Sequence, residues 1–185
     1  MNNQLKIRYL CRILRYICLL GIIIVPLLNA FYWIHDGFQI VSFKKTHWFL
    51  QFADAPFTAI DELPNWLKFT GFLVDLIPYI FFFLMLLILM KLLRLYEKLE
   101  FFSKNNIRYI RQIGCILVIG QIIHPFYIAL HSFILTLSSP PGQRVVIIAY
   151  GPNQIKTLFL AFIIFLAAYI MEVGRHYEDE YSSTV

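Results

Sequence analysis

Apolar positions in this chain come in long runs, with little of the alternation that marks a half-buried strand. Residues 16–34 (YICLLGIIIVPLLNAFYWI) carry no charge, and 113–137 carry none apart from two histidines, His124 and His131. The run from Thr70 to Leu93 holds one acid near its start, Asp75, and one base near its end, Lys91. A fourth run, Thr157 to Val173, is shorter and closes at Glu172. A bilayer core about 30 Å thick takes roughly 20 mostly apolar residues in a helix. The pattern therefore predicts an all-α integral membrane protein, a bundle of four transmembrane helices at 16–34, 70–93, 113–137 and 157–173, forming one membrane domain over 1–185.

The polar stretches between the runs predict the rest. Ser103 stands where a helix N-cap is expected, so the third helix should begin at Lys104, well ahead of its apolar run. With the second helix continuing past Lys91, residues 94–112 form a basic helical elbow. Ile107, Ile110 and Ile113 share one face there, and Arg108, Arg111 and Gln112 lie away from it. The outer loops are 35–69 and 138–156. Gln39–Phe43 and Val145–Tyr150 have strand-like composition, and their pairing would make a small β cap. In the alternative, VVIIAY at 145–150 simply lies against the membrane surface.

Charge sets the orientation. Of the 185 residues, 59% are hydrophobic and 15% charged, against about 25% charged in soluble domains, which excludes an ordinary soluble enzyme and a disordered tail. Lys6, Arg8, Arg12 and Arg15 precede the first span. Lys91, Arg94, Lys98, Lys104, Arg108 and Arg111 lie between the second and third. The first outer loop balances its lysines with Asp36, Asp54, Asp61 and Glu62, and the second has only Arg144 and Lys156. By the positive-inside rule both termini face the cytoplasm. The net charge of +5 is then a topology signal that requires no direct nucleic acid binding, although the same bases suit anionic lipid. A cleaved signal peptide is disfavoured, because the first run is long and ends in bulky Phe31, Tyr32 and Trp33. Arg12, Gly21 and Pro26 recur ninety-nine positions later as Arg111, Gly120 and Pro125, the pattern of two parallel hairpin repeats.

Leu99-Glu100-Phe101-Phe102-Ser103-Lys104-Asn105-Asn106, followed by Arg108-Tyr109-Ile110-Arg111-Gln112-Ile113-Gly114, resembles the bacterial membrane family called domain of unknown function 2975. Pro-Pro-Gly-Gln-Arg at 140–144 and the acidic close before Thr184-Val185 are similar too, so the resemblance covers roughly the whole chain. It implies a four-helix, multi-pass protein of the bacterial inner membrane with no established activity. It also implies a cytoplasmic protein partner, since some relatives sit beside small helix-turn-helix regulators. Met171-Glu172-Val173-Gly174-Arg175 departs from the Phe-Arg-Glu-Gly common in the family, so that motif's arginine is not carried over.

Candidate chemistry is sparse. Cys11, Cys18 and Cys115 fall near the cytoplasmic ends of spans and read as small packing residues. His124 sits near the bilayer midplane, with His131 seven residues on and Gln121 one turn before. A metal, haem or proton site is the functional reading, but no second histidine stands at equal depth for a haem, and zinc would want a further ligand. No cofactor is expected. Asp75 is the only acid well inside a span and should face the interior. With Asn29, Gln121, His124 and His131 it would line a polar pocket. Otherwise it sits at the interface beside Lys68 or Lys156. No phosphate loop, zinc-protease motif or nucleophile elbow occurs.

Three functions remain, a membrane enzyme last among them. The leading one is a non-enzymatic relay, anchor or regulatory protein using Phe101, Phe102, Arg108 and Arg111 for a partner. In it Glu178, Asp179 and Glu180 of the tail would form a weak latch on the two arginines. The alternative is a small transporter or permeability factor, working as a homo-oligomer through the polar pocket.

Overall fold

The computed structural model describes residues 3–34, 64–137, 140, 142, 144, 146–148 and 150–183, with only the backbone at 3, 32–34 and 178–183. Among them are four α-helices: α1 (Asn3–Ile34), α2 (Asn65–Glu97), α3 (Lys104–Thr136) and α4 (Pro152–Ser183). At 1.5 Å per residue each is about 48–50 Å long. All four are long and apolar enough to cross a membrane, and they suggest a multi-pass membrane protein. Large apolar side chains stay uncovered along them, among them Leu27, Phe126, Phe159 and Phe162, the surface that lipid rather than water would cover. Each helix extends past the apolar run inside it at one end or both, because polar residues do not by themselves stop a helix.

What stops them is local. The C-terminus of α2 ends in a Schellman arrangement, in which the Glu100 N–H reaches back to the Leu95 carbonyl (3.1 Å) and the Leu99 N–H to that of Tyr96 (3.0 Å). The left-handed position falls on Leu99, with φ 66°. Ser103 then caps α3 as expected, its Oγ accepting from the Asn106 N–H at 3.2 Å. At the start of α4, Gly151 precedes Pro152, and the Gln154 side chain reaches back to the Gly151 N–H at 2.9 Å. This is half of a capping box, with proline in the first helical position.

The chain packs as two units. One comprises Met1–Ile23, Ile80–Ile122 and Gly151–Val185, and the other Ile24–Tyr79 and Ile123–Tyr150. In the first, Cys11 and Cys18 of α1 pack with Leu86 and Leu93 of α2, two sevenfold steps facing one another, and Tyr96 closes the cluster. These cysteines are free and buried, whereas Cys115 is exposed. Gly114 of α3 lies under the Phe165 ring of α4, so close that a Cβ there would stand 3.1 Å from the ring edge. A Cβ there would ask the Phe165 ring to give by a few tenths of an ångström, so the glycine matters here for the close approach of α4 and not for backbone freedom. Arg15 pairs with Glu97 at 3.2 Å.

In the second unit, Leu67 is fully buried against Leu135, with Phe72, Ile134 and Leu137 around them. The β cap expected from the two outer loops is not supported. Residues 39–43 lie outside the described residues, and 146–148 and 150 form no strand. The Ile147 N–H, which a strand would give to a ladder, is held at 2.9 Å by the Ser132 hydroxyl of α3. A helix side chain has taken the donor that strand pairing needs.

Candidate functional site

In the first unit the elbow is built by its own backbone chemistry. Between the Leu99 turn and the Ser103 cap the chain reverses in six residues, and Asn106, with no exposure at all, fixes the reversal. Its side-chain amide donates to the Phe101 carbonyl. Phe101 is turned inward, its ring 5.4 Å from that of Tyr96. Phe102 points away and is 56% exposed. The two phenylalanines grouped by sequence therefore differ: Phe101 anchors the elbow, and Phe102 is presented by it.

Beyond the cap, α3 carries Lys104, Arg108 and Arg111 at steps of four and three, one face of a helix. Opposite them α4 carries Glu172, Arg175 and His176, again on one face. These six residues, over the buried floor of Ile107, line a cleft of about 270 Å³. Arg111 donates through Nη2 to Oε2 of Glu172 at 2.7 Å. The side chains of Glu178, Asp179 and Glu180 lie outside the described residues, and with them the expected latch. Arg175 and His176 escaped the sequence reading; their signal was the three-four spacing around Glu172.

In the second unit Asp75 is buried at 6% exposure. The Tyr127 hydroxyl donates to its Oδ1 at 2.8 Å, and His131 Nε2 stands 3.2 Å from the same oxygen. The rings of Tyr127 and His131 are 5.6 Å apart, and those of His124 and Tyr127 6.2 Å. Asp75, His131 and His124 are thus brought together around Tyr127, which was not among the expected residues. Positions 124, 127 and 131 share one face of α3, so the face was legible, but one tyrosine among eleven is not singled out by composition. Asn29 is buried in the same unit, its Nδ2 without a hydrogen-bond partner among the described residues. Gln121 falls in the first unit. Among the described residues no three of His, Cys, Asp and Glu gather as metal ligands.

Four long apolar helices, a capped basic elbow and an acid held by tyrosine and histidine define a helical protein of membrane-spanning composition. A family model described as "Protein of unknown function (DUF2975)" matches residues 55–185, and the chain belongs to that family. No curated protein and no solved structure matches it.

Proposed function

We propose that this is a non-enzymatic, multi-pass protein of the bacterial inner membrane that relays or anchors through its elbow, with both termini in the cytoplasm. The lysine and arginine bias supports that orientation. The observation that carries the relay is the elbow itself, whose backbone is fixed by the Leu99 turn, the Ser103 cap and Asn106, and which holds Phe102 exposed. A rigid aromatic beside exposed Arg108 and Arg111 has the composition of a protein contact. The partner is a cytoplasmic protein offering apolar and acidic surface, for which a small helix-turn-helix regulator is the candidate that the family suggests. Full-length protein purified in mild detergent tests this. Phe102→Ser and the Arg108→Glu, Arg111→Glu pair should each deplete the same co-purifying cytoplasmic protein at least several-fold, with helicity unchanged. Identical co-purification from all three proteins would remove the relay.

The buried cluster favours a second reading. An ionisable group placed within a span is a functional candidate by default, and Asp75 with Tyr127 and His131 has the make-up of a proton-linked site. Under it the protein would be a small transporter or permeability factor, acting as a homo-oligomer because four helices enclose little.

A further inference from the structure

We infer that the cleft between Lys104, Arg108 and Arg111 of α3 and Arg175 of α4 is a binding site for a phosphate-bearing anion, foremost the phosphodiester headgroup of an anionic phospholipid. The cleft shares Arg108 and Arg111 with the proposed protein contact, but Phe102 does not line it, so Phe102→Ser should deplete the protein partner and leave anion binding unchanged.

Charge comes first. The lining holds four permanent cations and one carboxylate, Glu172, a net of +3 before any contribution from His176. Arginine guanidinium groups match phosphate oxygens in paired hydrogen bonds, and two helices presenting them from opposite sides can grip one anion. The site also lies at the first turn of α3. There the Ser103 hydroxyl satisfies the Asn106 N–H, and the helix dipole adds to the field of the side chains. Glu172 opposes the anion, and at present it holds Arg111. That pair is 50% and 41% exposed, and ion pairs so exposed are weak. An entering phosphate can therefore take Arg111 from Glu172, which acts as a resident competitor.

Size and depth favour a lipid headgroup. A cleft of about 270 Å³ lies just below the roughly 300–1,000 Å³ of pockets for larger ligands, and so suits a phosphate with a glycerol unit. Arg111 precedes the apolar run at Ile113 by two residues, and Arg175 follows Val173 by two, about 3 Å in each case. Both cations thus stand at the edge of the hydrocarbon, where lipid phosphates lie. Lys104 reaches about 13 Å beyond Ile113, toward the water side of the headgroup. One helix then spans the headgroup layer with three bases in register.

The test is ligand binding by the full-length protein in detergent, with short-chain phosphatidylglycerol, short-chain phosphatidylcholine and inorganic phosphate as separate probes. Phosphatidylglycerol should bind saturably and phosphatidylcholine about tenfold more weakly. Arg111→Gln and Arg175→Gln should each weaken phosphatidylglycerol about tenfold, the loss of one charge-assisted contact. Glu172→Gln should tighten it several-fold, a gain that misfolding cannot mimic. Arg94→Gln, an exposed base outside the cleft, should change nothing. If inorganic phosphate binds as tightly as phosphatidylglycerol, the site stands and its ligand is a soluble phosphate. The inference is overturned if neither anion saturates, if Arg94→Gln costs as much as Arg175→Gln, or if Glu172→Gln leaves affinity unchanged.

Discussion

Asp75 has two partners at one oxygen, the Tyr127 hydroxyl donating at 2.8 Å and His131 Nε2 standing 3.2 Å away. A carboxylate in an apolar span is costly unless its lone pairs are engaged, so the Tyr127 hydrogen bond should contribute measurably. Hydrogen bonds to charged groups are worth about 1.5–3 kcal/mol in soluble proteins, whereas side-chain contacts between membrane helices average nearer 0.6 kcal/mol. Tyr127→Phe removes the hydroxyl and little else. It should cost about 0.5–2 kcal/mol of stability in detergent, and a double-mutant cycle with Asp75→Asn should show positive coupling. Strict additivity would mean that the hydroxyl and carboxylate do not act together. The same variant serves the second functional reading. A proton-linked response should shift in Tyr127→Phe, while a purely structural cluster would lose stability alone.

At the scale of elements, the elbow depends on two positions that pull in opposite directions. Leu99 occupies the left-handed region, which costs a residue with a Cβ about 1–2 kcal/mol. Asn106, fully buried, returns stability by holding the Phe101 carbonyl. Leu99→Gly should accordingly raise stability, by on the order of 1 kcal/mol less the packing lost from a half-buried side chain. Asn106→Ala should lower it by about 1–3 kcal/mol, because the part-buried Phe101 carbonyl loses its donor. Hydrogen exchange should place both changes in residues 98–106. An Asn106→Ala protein with unaltered exchange there would show that the turn is held by its backbone alone. Ser103 and the start of α3 were legible from the sequence, since capping is local chemistry that three or four residues determine. The Asn106 contact was not, because it depends on a left-handed leucine, and sequence rules assign that conformation to glycine. The β cap failed for a related reason. The β-branched composition at 145–150 predicts an extended segment, but whether its N–H groups meet a strand or a serine is decided by the helix beneath it.

For the whole molecule, hydropathy reveals the four apolar runs because bilayer thickness sets their length, and it misses the ends because helix and span are different things. Residues 3–15 and 174–183 are helical although they are too polar to lie in hydrocarbon. The orientation rests on where the bases fall. Those at 6–15 and 91–111 all belong to the unit that contains the elbow and cleft, and the unit holding Asp75 has few. The proposed orientation, read from the positive-inside rule, puts the first unit toward the cytoplasm. Single-cysteine labelling tests this in a background with Cys11, Cys18 and Cys115 replaced by alanine. Asn105 is exposed and makes no capping bond, so Asn105→Cys reports on the elbow without disturbing Ser103; Arg144→Cys, also exposed, reports on the segment between α3 and α4. In intact cells an impermeant maleimide should label position 144 and spare 105, and after permeabilisation it should label both. The reverse pattern would put the elbow outside the cell. A cytoplasmic partner could not then reach Phe102, and the relay would fall, whereas the phosphate cleft would survive on the opposite leaflet.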